Sequence, residues 1–527
     1  MSDDPKLLRA QIDIHRELDV RIEAAQRARQ PLRAFLPEIL PWIAERLGAV
    51  GMMLQTYGES LELETFRWPA DLALPGERAL ITGTDEGSSG YVLCGEAGRF
   101  ALGQRLDVAG ETFGRAAAIF DHEPDADRAH LLLDTACEEL DNLLHAVRAA
   151  RQKHLVTMQL GDALRHRVLA DGLREAVAVL GRAVPLERIL LTFVAEEEDA
   201  SVLHVQLHES RDGAMVAKVD TMASEAPREM VDDARRYLAT GDRELLRRLD
   251  LLDAQEEVLI NGVTHSVVVG KVLVSSSAGA FNTWDRELLA AFAGYVRQRV
   301  VDFNKEWRRL SSSFRPADVA RLVSDDDYER KWLAPREETV AILYVDISGF
   351  TRLSEQVLQT PERVAALVEA WSEEAIGLLF QHGGVFDKMV GDCVIGLFGP
   401  PFYDQRPHER LDAALSCAVD IREMTRRFPT RPGFEHLIAP GLAVSTGVNL
   451  APLFVGIFGK NDNFTGFSSG MNNTARLQGC AKRDEILVMA EAALALPPGH
   501  RFQLGPEESA VVKNVAVPLR YHPVDVR

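Results

Sequence analysis

Two short motifs constrain the fold of this chain more than any other feature. The apolar run VAILYVDISGF predicts a buried strand over 340–345, with Asp346 at its exposed end. The run FDKMVGDCVIGLFG predicts a hairpin, with strands over 385–389 and 394–398 and a glycine turn that holds Asp392. Asp346 thus ends the first apolar run, and Asp392 lies in the turn between the two strands of the hairpin.

The segment between these motifs predicts a helix. Thr360 is suited to cap its start, and Pro361 is suited to its first position. The resulting β-α-β-β order places the hairpin beside the first strand, so Asp346 and Asp392 converge at one end of a sheet. Two convergent carboxylates favour a hard divalent cation such as Mg²⁺, which proteins commonly use on phosphates.

Composition limits the functions to consider. The chain has 527 residues, which suggests about three or four domains at roughly 100–200 residues each. A hydrophobic fraction of 46% is typical of a globular protein. The net charge of −20 excludes a general nucleic-acid surface, because such a surface needs a basic stripe. Any phosphate ligand must therefore be held locally, by metal and a few cations.

The N-terminus predicts no export. MSDDPKLLRA lacks the basic and apolar regions of a signal peptide, and no apolar run approaches the length of a membrane span. We therefore expect a soluble, cytoplasmic protein.

The N-terminal third predicts an N-terminal helix over 1–30, a mixed α+β domain over 31–126 and a long linker helix over 127–158. The apolar positions of the long helix follow heptad spacing: Leu133, Cys137, Leu140, Leu144 and Val147. This spacing suits a parallel partner helix, and it equally suits an amphipathic helix that packs on its own domain.

A second α+β pattern over 159–283 repeats this plan, and a signalling helix with a connector follows over 284–337. The apolar positions of that helix also have near-heptad spacing: Leu289, Phe292, Val296, Val300, Phe303, Trp307 and Leu310. The repeated plan suggests tandem copies of one module. With the closing run FNTWDRELLAAFA, it resembles the GAF family of sensor domains over residues 31–310. The resemblance implies either a small-molecule ligand or a role in dimerisation.

Residues 338–527 closely resemble the class III nucleotide cyclases, from VDISGFT through FDKMVGDCVIGLFG to an N-x-x-x-R helix. The resemblance implies an α+β chain with a ferredoxin-like catalytic domain, preceded by two GAF-like α+β domains and helical linkers. It implies that Asp346 and Asp392 bind two ions of Mg²⁺ or Mn²⁺, with the Ile347 backbone carbonyl as a further candidate ligand.

The resemblance also implies roles for four polar residues. Asn472 and Arg476 would orient the ribose and stabilise the reacting phosphate. Lys388 and Thr465 fall at the positions that recognise the base. Adenine offers an acceptor at N1 and a donor at N6, which suit a lysine donor and a hydroxyl acceptor. Guanine has a donor at N1 and would suit a carboxylate better, so ATP is favoured over GTP.

Three positions depart from the family pattern. Ser468 stands where a glycine usually precedes the Asn helix, and Ala451-Pro452 replaces the usual glycine turn. Lys513, a candidate phosphate contact, lies in VKN where the family has VKG. These departures concern the phosphate contacts and the turnover rate, and they leave the metal pair unchanged.

In the family, the metal-binding acids of one chain face the base-reading and Asn/Arg residues of another. The resemblance therefore implies a homodimeric adenylate cyclase with its active sites at the interface, and the heptad-spaced helices suit such a dimer. Three alternatives stay open. They are a guanylate cyclase, a non-catalytic nucleotide-binding sensor or scaffold, and a ligand sensor whose GAF-like half serves a partner protein.

Overall fold

The computed structural model describes residues 5–58, 61–86, 91–108, 111–196, 201–222, 227–254, 256–261, 268–439, 441–459, 463–512 and 517–526. The chain divides into two compact units, Met1–Gln159 and Leu160–Arg527. In the described part of the chain, no helix combines the length and apolar character that a membrane crossing needs.

The first unit contains an antiparallel sheet of order β2-β1-β5-β4-β3. Its elements are α1 (Pro5–Arg27), α2 (Leu32–Leu47), β1 (Gly51–Tyr57), β2 (Leu63–Trp68), α3 (Glu77–Glu86), β3 (Tyr91–Glu96), β4 (Arg99–Val108), β5 (Glu111–Phe120) and α4 (Ala126–Ala163). Helices α1, α2 and α4 share one apolar core with the sheet. The last residues of α4 pass into the second unit.

The second unit begins with a similar antiparallel sheet, of order β8-β7-β6-β10-β9. Its elements are α5 (Leu169–Ala183), β6 (Leu186–Glu196), β7 (Ser201–Arg211), β8 (Ala214–Asp220), α6 (Arg228–Thr240), α7 (Glu244–Arg248), β9 (Glu256–Asn261), β10 (Val268–Ser276), α8 (Thr283–Ser311) and α9 (Pro316–Val323). In both sheets the first strand pairs with the last. The assignment of these regions to the GAF family stays a prediction.

The C-terminal region of this unit is a mixed α+β domain, as predicted. Its elements are β11 (Arg336–Ile347), α10 (Phe350–Leu353), α11 (Pro361–Gln381), β12 (Gly384–Val390), β13 (Cys393–Phe398), α12 (Pro407–Arg427), β14 (Val444–Ile457), β15 (Phe464–Phe467), α13 (Ser469–Gln478), β16 (Ile486–Met489), α14 (Ala490–Ala493), β17 (Phe502–Leu504), β18 (Glu508–Ala510) and β19 (Leu519–Val526). The main sheet runs β12-β13-β11-β14-β16-β19-β17. The predicted hairpin therefore does lie beside the first strand, because β13 pairs with β11.

Helices α11 and α12 cover one face of this sheet and build its core. Trp371 on α11 is fully buried, and its indole N–H donates to the Thr425 hydroxyl of α12 at 2.9 Å. Thr360 caps α11 by accepting from the N–H of Arg363, and Pro361 occupies the first position, as the sequence predicts. This packing fixes the strands that carry the two acids.

The two heptad-spaced stripes are largely buried inside the chain, although Val147 at the end of the first stripe is only partly buried. Leu133, Leu140 and Leu144 of α4 lie in the core of the first unit, at 0–1% exposure. The corresponding residues of α8, from Leu289 to Leu310, are also buried, and α8 packs on α5 and the neighbouring sheet. Of the two alternatives that the spacing leaves open, the structure therefore favours helices that pack on their own domains, because the apolar surface of both stripes is largely covered within the chain.

One predicted helix needs correction, and one departure from the family pattern can be located in the fold. The residue pattern over 160–184 predicts one continuous helix, but the structure interrupts it, because α4 ends at Ala163 and α5 begins at Leu169. The Arg299 guanidinium of α8 donates to the His166 carbonyl in the intervening loop. Ala451 and Pro452, which replace the glycine turn that the family usually has, lie within β14. There they pair with β11.

Candidate functional site: two carboxylates at the end of a sheet

The two predicted metal ligands meet at one end of the sheet. Asp346 is the penultimate residue of β11, and Asp392 lies in the turn between β12 and β13. Gly391 adopts a left-handed conformation in this turn, with φ of 65°, which favours glycine. Because Val345 pairs with Val394, the turn is held against the end of β11. The two half-buried carboxyl groups are close enough to share a hydrogen bond.

Burial and mutual repulsion control the protonation of this pair. Burial, followed by the charge of Asp392, raises the pKa of Asp346. Burial also raises the pKa of Asp392, while its own backbone N–H, the Asp346 carboxyl and the Ile347 N–H act in the opposite direction. Burial, followed by the charges of Asp346 and Asp392, raises the pKa of the Cys393 thiol to about 12. The pair is therefore suited to a cation that would relieve this repulsion.

The donor set fits a hard divalent cation. The buried Oδ2 of Asp392 has no hydrogen-bond partner among the described residues. No cluster of three or more His, Cys, Asp or Glu side chains that could hold a metal occurs in the described ranges. An ion at this pair must therefore take its other ligands from backbone carbonyls, water or substrate phosphates, which is the usual pattern for Mg²⁺. The Ile347 carbonyl stays a candidate for this role.

The raised pKa values predict how stability changes with pH. Unfolded aspartates ionise near pH 4, so above that pH the folded state without metal retains protons that the unfolded state has lost. We expect the free energy of unfolding to fall as the pH rises from about 4 through the raised pKa values. Asp392→Asn should weaken this dependence, and Mg²⁺ should oppose the fall in the wild type.

Denaturant unfolding at a series of pH values, with and without Mg²⁺, checks this expectation. An identical pH dependence in the wild type and Asp392→Asn would contradict it.

The structure brings the two predicted base-reading residues together. Lys388 lies on β12 and Thr465 on β15, and the lysine Nζ donates to Thr465 Oγ1 at 3.3 Å. The Lys388 ammonium also lies 5.9 Å from the ring centroid of Phe467. Its side chain is 45% exposed, so the remaining donors of the ammonium face a surface that a ligand can reach.

Asn472 and Arg476 share the exposed face of α13. Ser468 caps this helix by accepting a hydrogen bond from the N–H of Gly470 at 2.9 Å. The serine that replaces the family's glycine therefore stabilises the start of α13. Gly447 of β14 allows the helix to pack closely, because a Cβ there would lie 2.7 Å from the Gln478 nitrogen. The helix thus has one face against the sheet and another that presents Asn472 and Arg476.

Gln478 on the same helix is a site residue that the sequence did not indicate. It donates a hydrogen bond to the Asp346 carboxylate, and its Nε2 lies 2.9 Å from Ser445 Oγ. Residues 476 and 478 are separated by about 200° around a helix. Arg476 therefore points away from Asp346 and Asp392 of its own chain. Lys513, the predicted phosphate contact, lies outside the described residues.

A profile of the family described as Adenylate and Guanylate cyclase catalytic domain matches residues 333–521. The C-terminal region is therefore a nucleotide cyclase catalytic domain. An uncharacterized protein of Mycobacterium tuberculosis is 26% identical over 196 residues, which are 37% of this chain and 34% of that protein. The photoactivated adenylate cyclase subunit alpha-like protein FB of Euglena gracilis is 30% identical over 112 residues, or 20% of this chain and 10% of that protein. The matches to these relatives thus span about a third of their length or less.

Two solved cyclases are also similar. The adenylyl cyclase CyaB from P. aeruginosa has a TM-score of 0.33 and 26% identity, covering 37% of this chain and 98% of that chain. The guanylyl cyclase Cya2 has a TM-score of 0.32 and 22% identity, and the match covers 36% of this chain and 93% of that chain.

Proposed function

We propose that this chain, whose residues 333–521 match the cyclase catalytic domain, is an adenylate cyclase that converts ATP to 3′,5′-cyclic AMP and pyrophosphate. The observation that carries the proposal is the 3.3 Å contact between Lys388 Nζ and Thr465 Oγ1. Lysine offers only donors, and the threonine hydroxyl retains a lone pair. These groups match the N1 acceptor and the N6 donor of adenine.

The reaction requires the ribose 3′-oxygen to attack the α-phosphorus as pyrophosphate leaves. Mg²⁺ or Mn²⁺ held by Asp346 and Asp392, with the Ile347 carbonyl, would supply charge that activates the hydroxyl and holds the triphosphate. The side chains of the chain provide position and further charge. Asn472 would orient the ribose, and Arg476 would stabilise the reacting phosphate, because a guanidinium stays charged and presents a planar set of donors.

We assign Asn472 and Arg476 to the active site of a second copy, because Arg476 lies about 200° around α13 from Gln478, whose side faces Asp346, and Asn472 shares the exposed face of Arg476. An exposed aromatic cluster of Phe454, Phe458 and Phe467 supports a homodimer. Its ring centroids lie 5.5 and 5.0 Å apart, while Phe454 is 49% and Phe467 56% exposed. Exposed aromatic patches of this kind favour protein interfaces. The patch adjoins Lys388, so dimerisation and base recognition would share one surface.

Product analysis tests the proposal. The purified chain is incubated with ATP or GTP and with Mg²⁺ or Mn²⁺, and the products are identified by chromatography and mass spectrometry. We expect 3′,5′-cyclic AMP and pyrophosphate in equal amounts, formed only with metal. Preferential formation of cyclic GMP would make the chain a guanylate cyclase. Absence of both cyclic nucleotides would support the non-catalytic alternative.

The segment directly after α8 supports control by the N-terminal regions, which we propose are GAF-like sensors over 31–126 and 159–283 for a small molecule. The Phe386 N–H of β12 donates to the Ser313 carbonyl at 2.8 Å. The ring of Phe314 packs edge-on against Phe464, with centroids 5.1 Å apart. Phe386 and Phe464 directly precede the segments Asp387-Lys388 and Thr465-Gly466. A displacement of α8 would therefore reach the base-reading pair first.

Phe314→Leu tests this route. We expect the kcat/KM for ATP to fall by about five- to tenfold, mainly through KM, because the ring that supports Phe464 is lost while the metal pair is unchanged. Phe428→Leu is the matched control, since Phe428 is equally buried but packs on Phe434. Steady-state kinetics and thermal unfolding are measured for both variants. Equal changes in KM would show that the effect is only a general loss of packing.

A further inference from the structure

The strand that carries Lys388 contains an irregularity at its preceding residue. Phe386 pairs with Gly396 and Lys388 pairs with Ile395, so Asp387 is an extra residue without a partner on β13. Such a β-bulge changes the direction in which side chains leave the strand. At Asp387 it produces a carboxylate whose side chain is 0% exposed, beside a lysine that is 45% exposed.

The buried Asp387 carboxylate lies beside Lys388 and Thr465, the two residues proposed to recognise the base. Asp387 Oδ2 is 3.5 Å from Lys388 Nζ, which in turn donates to Thr465 Oγ1 at 3.3 Å. Burial raises the pKa of Asp387, whereas the Thr465 hydroxyl, the Lys388 ammonium and the Gly466 N–H favour its charged form. Among the described residues, neither carboxylate oxygen has a hydrogen bond of full geometry. A buried acceptor without a partner is costly, so it will attract a nearby proton donor.

The donors and acceptors of this cluster can be counted. A threonine hydroxyl has one proton and two lone pairs, and the ammonium of Lys388 occupies one lone pair. The direction of the hydroxyl proton then decides whether Thr465 presents a donor or an acceptor to a bound base. An ionised carboxylate accepts only.

We propose that Asp387 is a specificity-determining positioning residue. Its carboxylate accepts a hydrogen bond from the Thr465 hydroxyl, so that a lone pair of the Thr465 oxygen is directed at the base. The inference rests on the proposed function, and it adds the group that decides between the two purines. Because the Thr465 hydroxyl donates to Asp387, its oxygen can accept a hydrogen bond from the N6 amino group of adenine. The O6 of guanine, which is itself an acceptor, would meet a second acceptor and be rejected.

Asp387→Asn tests the inference, because the carboxamide keeps the shape of the carboxylate and offers donors to Thr465. The O–H of Thr465 is then free to point toward the base and act as a donor. We expect the preference for ATP over GTP, measured as a ratio of kcat/KM values, to fall about tenfold, the scale of one hydrogen bond. Asp233→Asn is the control, because Asp233 is a buried carboxylate in the preceding α+β region, ion-paired with Arg248.

A double-mutant cycle separates positioning from general structure. Thr465→Val should lower the ATP preference by a similar factor, and adding Asp387→Asn to it should change the ratio no further, because Asp387 acts through the hydroxyl. An unchanged ratio in Asp387→Asn, or additive effects in the cycle, would overturn the inference. If Asp387→Asn does not fold, Thr465→Ser decides: its hydroxyl can still donate to Asp387, so a retained ratio supports the inference and a lost ratio overturns it.

The dissociation constants of ATP and GTP, measured with Ca²⁺ in place of Mg²⁺, provide a second readout for the same variants. If the wild type forms no cyclic nucleotide, the proposed function fails, and the ratio of dissociation constants still tests Asp387. If the wild type forms cyclic AMP and Asp387→Asn alters neither ratio, only the inference about Asp387 fails.

Discussion

Asp392→Ala is expected to lower the rate of cyclic AMP formation by more than about a thousandfold, because one of the two carboxylates that would hold the cations is removed. Asp346→Ala is expected to have the same effect. Neither loss should be restored by a higher ATP concentration, since the missing interaction acts on the reacting groups rather than on the base. The rates are measured with saturating ATP over a range of Mg²⁺ and Mn²⁺ concentrations.

The fold should survive these substitutions. The two carboxylates repel each other when both are charged, so removing one relieves a strain of the metal-free protein. Thermal unfolding without metal should show no loss of stability at neutral pH. Glu337→Gln on the same strand, β11, is the control, because Glu337 is exposed and lies far along the strand from Asp346. Undiminished activity in either alanine variant would refute the assignment of the metal pair.

The second large effect is expected for Arg476→Ala, which should lower kcat by about a hundred- to a thousandfold with little change in KM. This is the scale observed when one donor to a developing charge is removed. Arg476→Lys should restore little, because an ammonium cannot reproduce the planar donors of a guanidinium. Arg427→Ala on α12, another exposed arginine, is the control. A large rise in KM at constant kcat would instead assign Arg476 to substrate binding.

The convergence of Asp346 and Asp392 could be predicted from the sequence because its cause is local. An apolar run fixes β11, a glycine turn fixes the hairpin, and β-α-β-β order brings Asp346 to Asp392. The side of α13 that faces away from Asp346, and so the direction of the Arg476 side chain, could be assigned only from the structure, since it follows from the contact between Gln478 and Asp346. No pattern of acids or glycines marks Gln478 in advance.

Other features depend on what a segment packs against. Heptad spacing shows that α4 and α8 each have an apolar stripe, but not whether the stripe meets another chain or its own sheet. The structure buries both stripes internally, so the exposed aromatic cluster around Phe467 becomes the stronger candidate for the dimer interface. The bulge at Asp387 is also invisible in the strand pattern, because it depends on the register of the opposite strand.

The central claim is that one catalytic site combines the metal pair of one copy with the Arg476 face of another. Co-expression of a chain carrying Asp346→Ala with a chain carrying Arg476→Ala tests it most directly. Half of the dimers should be mixed, and each mixed dimer should contain one intact site, so we predict about a quarter of the wild-type rate of cyclic AMP formation. A rate no higher than that of either parent, in a sample where differently tagged chains are shown to associate, would contradict the account.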